Sequence, residues 1–221
     1  MRHLLSSDIL HTLSFGNATA ASVLSREGRE EFKTLLKENY LQSPIGDLFD
    51  MATGSMLPHS TVVASHIFQR TWHFQLSRLT SLTNVVIDAP TNGLLLYKPV
   101  ESAFDRARIC IEVDGGDMTF RLLDHTLYNV RLVDEAIRLR GNRNQQLSQN
   151  EQNLQLTFGD LDGQPVRFPL NSTFRPSKRL LAFHAVAACH WQKTRDPLVL
   201  NPKYNVSDDD VARRCISMFI L

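Results

Sequence analysis

An imidazole, a carboxamide and two carboxylates stand at telling places in this chain. His66 closes the apolar segment Val62-Val63-Ala64-Ser65-His66-Ile67. Asn92 opens Asn92-Gly93-Leu94-Leu95-Leu96-Tyr97. Glu101 and Asp105 follow in Glu101-Ser102-Ala103-Phe104-Asp105. An imidazole titrates near neutral pH and can take a proton from water. Carboxylates hold hard divalent cations. Metal-assisted hydrolysis of a phosphodiester needs about this set of groups.

The elements that must position them are short. Glu101 and Asp105 are four apart, so a helix starting near Pro99 and ending near Arg106 turns both carboxylates to one face. Val100 and Phe104 on an adjacent face would anchor it. Met56-Leu57 and Thr61 to Ile67 read as strands around a turn at Pro58-His59, and Gly93 to Tyr97 as a third strand. If the His66 strand lies beside the last of these, the unit is a two-stranded ribbon with a helix across it. His66 and Asn92 are then expected on neighbouring strands, facing one shallow cleft. A connection of about two dozen residues separates them, long for an unstructured loop. Its Trp72, Phe74, Leu76, Leu79 and Leu82 point to a short helix or a packed loop.

Around this block, Arg26 to Leu41 reads as a helix with Phe32, Leu35, Leu36 and Tyr40 on one face and Ser25 as its N-cap. Residues 109–113 and 118–122 alternate and form a hairpin through Asp114-Gly115-Gly116-Asp117. Val133 to Arg140 reads as helix and Gly141 to Asn153, rich in Asn, Gln and Ser, as a mobile loop. Leu154 to Phe158 and Val166 to Phe168 suggest a second hairpin around Asp162-Gly163. Ser177 would cap a helix to about Lys193, and Ser207 to Asp210 would begin the last one. The expected class is α+β, with N-terminal helices, β-hairpins and C-terminal helices. Its segments are 1–50, 51–113 and 114–221, packed together as one domain.

The chain has 221 residues and a net charge of +1, which neither demands nor forbids a nucleic-acid partner. Cys110, Cys189 and Cys215 lie far apart with no C-x-x-C pair, which argues against a zinc ribbon and suits a reducing compartment. The N-terminal residues do not read as a signal peptide and no run is long enough for a membrane span. The expected location is intracellular, cytoplasmic or nuclear, with no membrane partner.

Residues Met56 to Val113 resemble the HNH, or ββα-metal, endonucleases. They resemble most closely the branch, seen in fungal proteins, with an A-H-I strand, an N-G-L-L-L strand and an F-D after the helix. Ala64-Ser65-His66-Ile67, Asn92 to Leu96 and Phe104-Asp105 carry the resemblance. It implies a ββα-metal unit embedded in the larger domain, with His66 as the general base. Asn92 matches the middle asparagine, which orients the histidine loop or ligates the metal. Glu101 falls at the position of a helix histidine ligand, with Asp105 as a further ligand. Carboxylates there favour Mg²⁺ or Mn²⁺, with Zn²⁺ the alternative. Two departures stand out: Ser65 occupies a place where many members carry an acidic or histidine ligand, and Glu101 replaces the helix histidine. The implied substrate is DNA, cut without strong sequence preference.

Basic residues that could follow a phosphate backbone are Arg138 and Arg140, with Arg131 and Arg143, and Arg175, Lys178 and Arg179, with Lys193 and Arg195. A solvated helix face accounts for each group equally well. His184 and His190, six apart, fall on different helix faces, and His184 reads as a core or groove histidine. His59 could approach the site from its turn, His73 and Trp72 sit in the long connection, and His125 reads as a strand residue without a partner. The residues thus support a metal-dependent HNH-type endonuclease. The alternatives are a catalytically degenerate HNH-like module that binds nucleic acid or protein, and a plain interaction module.

Overall fold

The computed structural model describes residues 15, 26–72, 86–141, 146–195 and 197–204. Ser25, His73, Arg143, Cys215 and the helix expected from Ser207 lie outside them.

Helix α1 (Arg26–Asn39) buries Phe32, Leu36 and Tyr40. The stems of Lys33 and Lys37 share that face, while Leu35, expected on it, is exposed. Strands β1 (Leu48–Phe49) and β2 (Met56–Leu57) pair antiparallel around a tight turn. Asp50, fully buried, organises that turn. Its carboxylate accepts from the N–H of Tyr97 at 2.7 Å, of Thr53 at 2.9 Å and of Ala52 at 3.3 Å, and from the Thr53 hydroxyl at 2.6 Å.

Strand β3 (Val62–His66) pairs antiparallel with β4 (Gly93–Tyr97), which follows a single 3₁₀ turn at Pro90–Asn92. Every residue of β4 is buried, because the ribbon is covered on both faces. Helix α1 packs on one face. Helix α2 (Lys98–Asp105), with Pro99 in its first turn, crosses the other through Val100 and Phe104. Gly93 lies opposite His66, under α1. Its backbone is extended (φ −138°), so a glycine is not needed for conformation. It is needed for space: a Cβ there would lie 2.6 Å from both Phe32 and Leu36 side-chain carbons. Gly93 therefore marks a close approach of helix to strand.

Strands β5 (Ile109–Asp114) and β6 (Asp117–Leu122) form the expected hairpin, and helix α6 (Lys178–Arg195) lies on β5. Between them come α3 (Leu132–Arg140), α4 (Gln149–Gln152) and α5 (Phe158–Leu161). The fold is α+β, as the patterning implied. Three local expectations are corrected. No second hairpin forms around Asp162-Gly163. Thr157 and Asp160 close a capping box that starts α5, and Thr157 instead bridges to Arg131. The stretch read as a loop before Asn153 contains α4, started by a second capping box between Ser148 and Glu151; Glu151 is buried and paired with Arg140. His125 begins a 3₁₀ turn rather than a strand and meets the Val199 carbonyl at 2.7 Å. No described helix is long and apolar enough to cross a membrane.

His184 is a core residue. Its ring stacks on Phe104 (centroids 3.7 Å apart, 4° between planes) and meets Phe15 edge-on at 5.6 Å. Neither nitrogen closes a hydrogen bond of standard geometry. Burial pushes its pKa from 6.5 down to about 3, and the Phe104 backbone offsets this only weakly. The folded state thus keeps His184 neutral while the unfolded chain protonates it below its ordinary value. Stability from this site is present above pH 6.5 and falls as the pH drops towards 3. Replacing His184 by Phe should flatten that part of the acid-stability curve, measured by urea unfolding at stepped pH. An unchanged slope would remove His184 as its source.

The tight contact at Gly93 yields a second expectation. Gly93→Ala should destabilise by about 1–3 kcal/mol through overpacking, and Leu36→Ala should cost less in that background than it costs alone. Additive effects in a double-mutant denaturation cycle would contradict the contact.

Candidate active site

His66 is the last residue of β3, and side chains alternate across a ribbon, so His66 and Ser65 face opposite ways. His66 faces α1. Its imidazole lies flat on Phe32, with centroids 3.9 Å apart and planes 10° apart. Nε2 meets Asp88 Oδ1 at 3.0 Å. Arg70 grips the same carboxylate, through Nε to Oδ1 at 3.2 Å and through Nη2 to Oδ2. The His66 side chain keeps 14% of its surface exposed and that of Asp88 keeps 40%, so solvent reaches the pair mainly from the Asp88 side. Burial pushes the His66 pKa below 6.5, while the bond and charge of Asp88 push back. With Nε2–H donating to Asp88, the ring's lone pair falls on Nδ1.

Asn92 is fully buried and does not share a cleft with His66. Its Oδ1 accepts from the Phe68 N–H at 2.7 Å. Its Nδ2 donates to the Phe68 carbonyl at 3.1 Å and to the Ile87 carbonyl at 2.8 Å. The Asn92 carbonyl accepts from the Ile67 N–H at 3.0 Å. These bonds tie the chain just after His66 to the segment just before β4. A carboxamide engaged in this way does not present an oxygen to a cation, so the metal role expected of Asn92 does not fit.

The other face of β3 carries Ser65, against the end of α2. Glu101 and Asp105, one helical turn apart as their spacing required, lie side by side there. Burial, and for Asp105 the neighbouring Glu101, push both carboxyls upward, Asp105 the further. Ser65 Oγ lies beside Asp105 but closes no hydrogen bond of standard geometry. Gln69 Nε2 donates to the Asp105 carbonyl at 2.9 Å and ties the segment after His66 to the end of α2. Two carboxyls and a hydroxyl make an oxygen donor set that suits a hard cation whose remaining positions are filled by water. Among the described residues no three His, Cys, Asp or Glu side chains gather as a metal cluster.

Sequence reasoning missed Asp88, Arg70 and the ring of Phe32 over His66. One signal was present: Asp88 is the sole acidic residue between Phe68 and Thr91. The basic candidates fare unevenly. Arg138 forks onto Glu135 at 2.5 and 2.6 Å, and Arg140 pairs with buried Glu151. Arg175 lies over the Phe168 ring at 4.2 Å and donates to the Ser172 and Phe174 carbonyls at 2.8 and 2.7 Å. Lys178 and Arg179 are exposed at the start of α6. His59, expected as a possible approach to the site, instead meets Lys33 Nζ through its ring and carbonyl.

No curated protein and no solved structure matches the chain. Residues 50–112 match the model of the HNH endonuclease family. That span holds His66, Asp88, Asn92, Glu101 and Asp105, so the ribbon and its crossing helix form an HNH-type ββα unit within the larger α+β fold.

Proposed function

We propose that the protein is a metal-dependent HNH-type endonuclease that hydrolyses DNA phosphodiester bonds, of the branch with A-H-I and N-G-L-L-L strands. The observation that carries this reading is the His66–Asp88 pair. A strand-end imidazole, neutral at physiological pH, is oriented by a carboxylate on Nε2 and would offer the lone pair of Nδ1 to a water. Asp88 fixes the tautomer and stabilises the imidazolium once His66 Nδ1 has taken the proton. Asn92 holds the backbone that leaves the strand. Glu101 and Asp105 would hold Mg²⁺ or Mn²⁺, beside Ser65, on the face of β3 opposite the His66 ring, so base and cation would have to meet one phosphate around the end of the strand. A cation bound there would supply charge neutralisation at the phosphate. Exposed Lys178 and Arg179 would meet backbone phosphates, which suits binding without strong sequence preference. The place of action would be inside the cell.

A second reading is a catalytically degenerate HNH-like module that binds nucleic acid or protein. The uncharged Ser65 and the Phe32 ring over His66 favour it.

Plasmid nicking with Mg²⁺, Mn²⁺ or Zn²⁺, against a chelator control, separates the two. His66→Ala should lose roughly two to four orders of magnitude in rate while its thermal unfolding stays cooperative. Full activity in a folded His66→Ala protein would hand the base role to another group. Because the active form of His66 is neutral and its pKa is lowered, the rate should hold at neutral pH and fall only as pH drops through a value below 6.5. Asp88→Asn removes the partner that raises that pKa, so its acid limb should move to still lower pH at a reduced plateau. An acid limb that stays put would show that His66 does not set it.

The carboxyl pair gives a separate test. Its raised pKa values mean that a cation must displace a proton, so Mn²⁺ affinity should tighten as pH rises above the ordinary carboxylate range. Calorimetry in buffers of different ionisation heat should show proton release. Glu101→Gln should weaken binding and reduce the release. Superimposed isotherms for wild type and Glu101→Gln would remove Glu101 as a ligand.

A further inference from the structure

A cavity of about 490 Å³ opens at the far end of the ribbon from His66. The turn before β3 supplies Ser60 and Thr61, the start of α2 supplies Lys98, the end of α3 supplies Arg140, and the start of α4 supplies Ser148 and Glu151. Its electrostatics follow from Glu151. That carboxylate is buried and already has four donors: Arg140 Nη2, the Tyr97 hydroxyl at 3.1 Å, and the Ser148 N–H and hydroxyl at 3.0 and 3.1 Å. Its charge is matched by Arg140 and its lone pairs are engaged. Lys98, exposed at the rim, has no acidic partner among the described lining residues; the carboxylate its charge acts on, Glu101, lies one turn along α2 outside the lining. Arg140 Nη1 is buried and has no acceptor, and a buried donor without one is costly. The cavity therefore has an excess of one positive charge, a guanidinium nitrogen lacking an acceptor and several hydroxyls.

We propose that this cavity binds a small phosphorylated polyol of the sugar-phosphate class. The phosphate would sit between Lys98 and Arg140, where charge-assisted bonds are strongest. The Ser60 hydroxyl would meet the sugar as donor or acceptor, and those of Thr61 and Ser148, whose protons go to the Pro58 carbonyl and to Glu151, as acceptors. The volume lies in the range of small-molecule sites. The lining argues against a nucleobase: its single aromatic ring, that of Tyr97, is wholly buried, and its hydroxyl is held by Glu151. Nothing in this assignment depends on the nuclease reading, because the cavity lies at the opposite end of β3 from His66.

Binding can be followed by calorimetry on the full chain, with ribose phosphate, free ribose, inorganic phosphate, adenosine monophosphate and a short DNA oligonucleotide as probes. Ribose phosphate should bind more tightly than inorganic phosphate, and free ribose should not bind. Lys98→Gln, at an exposed rim position, should weaken ribose phosphate by roughly tenfold or more, as expected for loss of a charge-assisted contact, with thermal stability unchanged. Ser60→Ala should weaken ribose phosphate but not inorganic phosphate. No heat from ribose phosphate at millimolar concentration overturns the proposal, as does equal affinity in Lys98→Gln. Adenosine monophosphate binding more tightly than ribose phosphate would overturn the exclusion of a base. Lys98-dependent binding of the oligonucleotide alone would make the cavity part of a nucleic-acid track and overturn the small-molecule assignment.

Discussion

The placement of His66 depends on one buried carboxamide. Asn92 receives the Phe68 N–H and donates to the carbonyls of Phe68 and Ile87. Phe68 lies just after β3 and Ile87 shortly before β4, so this side chain joins the two sides of the long excursion between the strands. Any aliphatic replacement would leave three buried backbone groups without partners, each costing about 1–3 kcal/mol. Closing a long excursion also carries a loop-entropy cost that local pairing alone must overcome. With the backbone after His66 fixed, the imidazole can be stacked, paired and oriented by groups far away in sequence.

The buried acids of this fold divide by how they are satisfied. Asp50 is surrounded by donors and serves as a structural pin between the β1–β2 turn and β4. Glu151 is likewise saturated. Glu101 and Asp105, half-buried, instead face each other, with the Ser65 hydroxyl beside Asp105 and the charges of Lys98 and Arg106 offsetting their burial only in part. Two neighbouring carboxyls with pKa values raised by burial, and for Asp105 by Glu101 as well, form a site that a cation would complete from outside. Fold stability alone gives no reason for that arrangement, because an apolar pair would pack at lower cost.

What the sequence revealed was local. The short apolar runs marked β3 to within a residue at each end and β4 fully, and Pro99 with the four-residue spacing of Glu101 and Asp105 marked α2. The order of His66, Asn92 and the F-D pair was enough to suggest the ββα unit. The missing parts depend on tertiary pairing. Asp88 acquires meaning only when the chain returns to bring it onto His66, and Phe32 comes from a helix preceding the unit. Glu151 was hidden in a polar stretch because its partners, Arg140 and Tyr97, precede it in sequence and approach it only in the folded chain. Leu154 and Leu156 alternate like a strand, yet the T-x-x-D capping box at Thr157 turned the next residues into a helix. Among the arginines and lysines considered for phosphates, Arg138, Arg140 and Arg175 have protein partners, which composition alone could not show.

The bare Cα of Gly93 also fixes how the two strands align. An antiparallel ribbon can in principle slide, and a slip of one residue would turn the strand's side chains to the other face. A slip of two would keep the faces but set Leu95 opposite His66, beneath Phe32 and Leu36, where even a methyl group has no room. Helix α1 therefore reads the alignment of a ribbon that follows it in the chain and docks fully in only one register. A glycine with ordinary backbone angles thus acts as a register gauge, excluding misaligned pairings by bulk and not by any bond of its own.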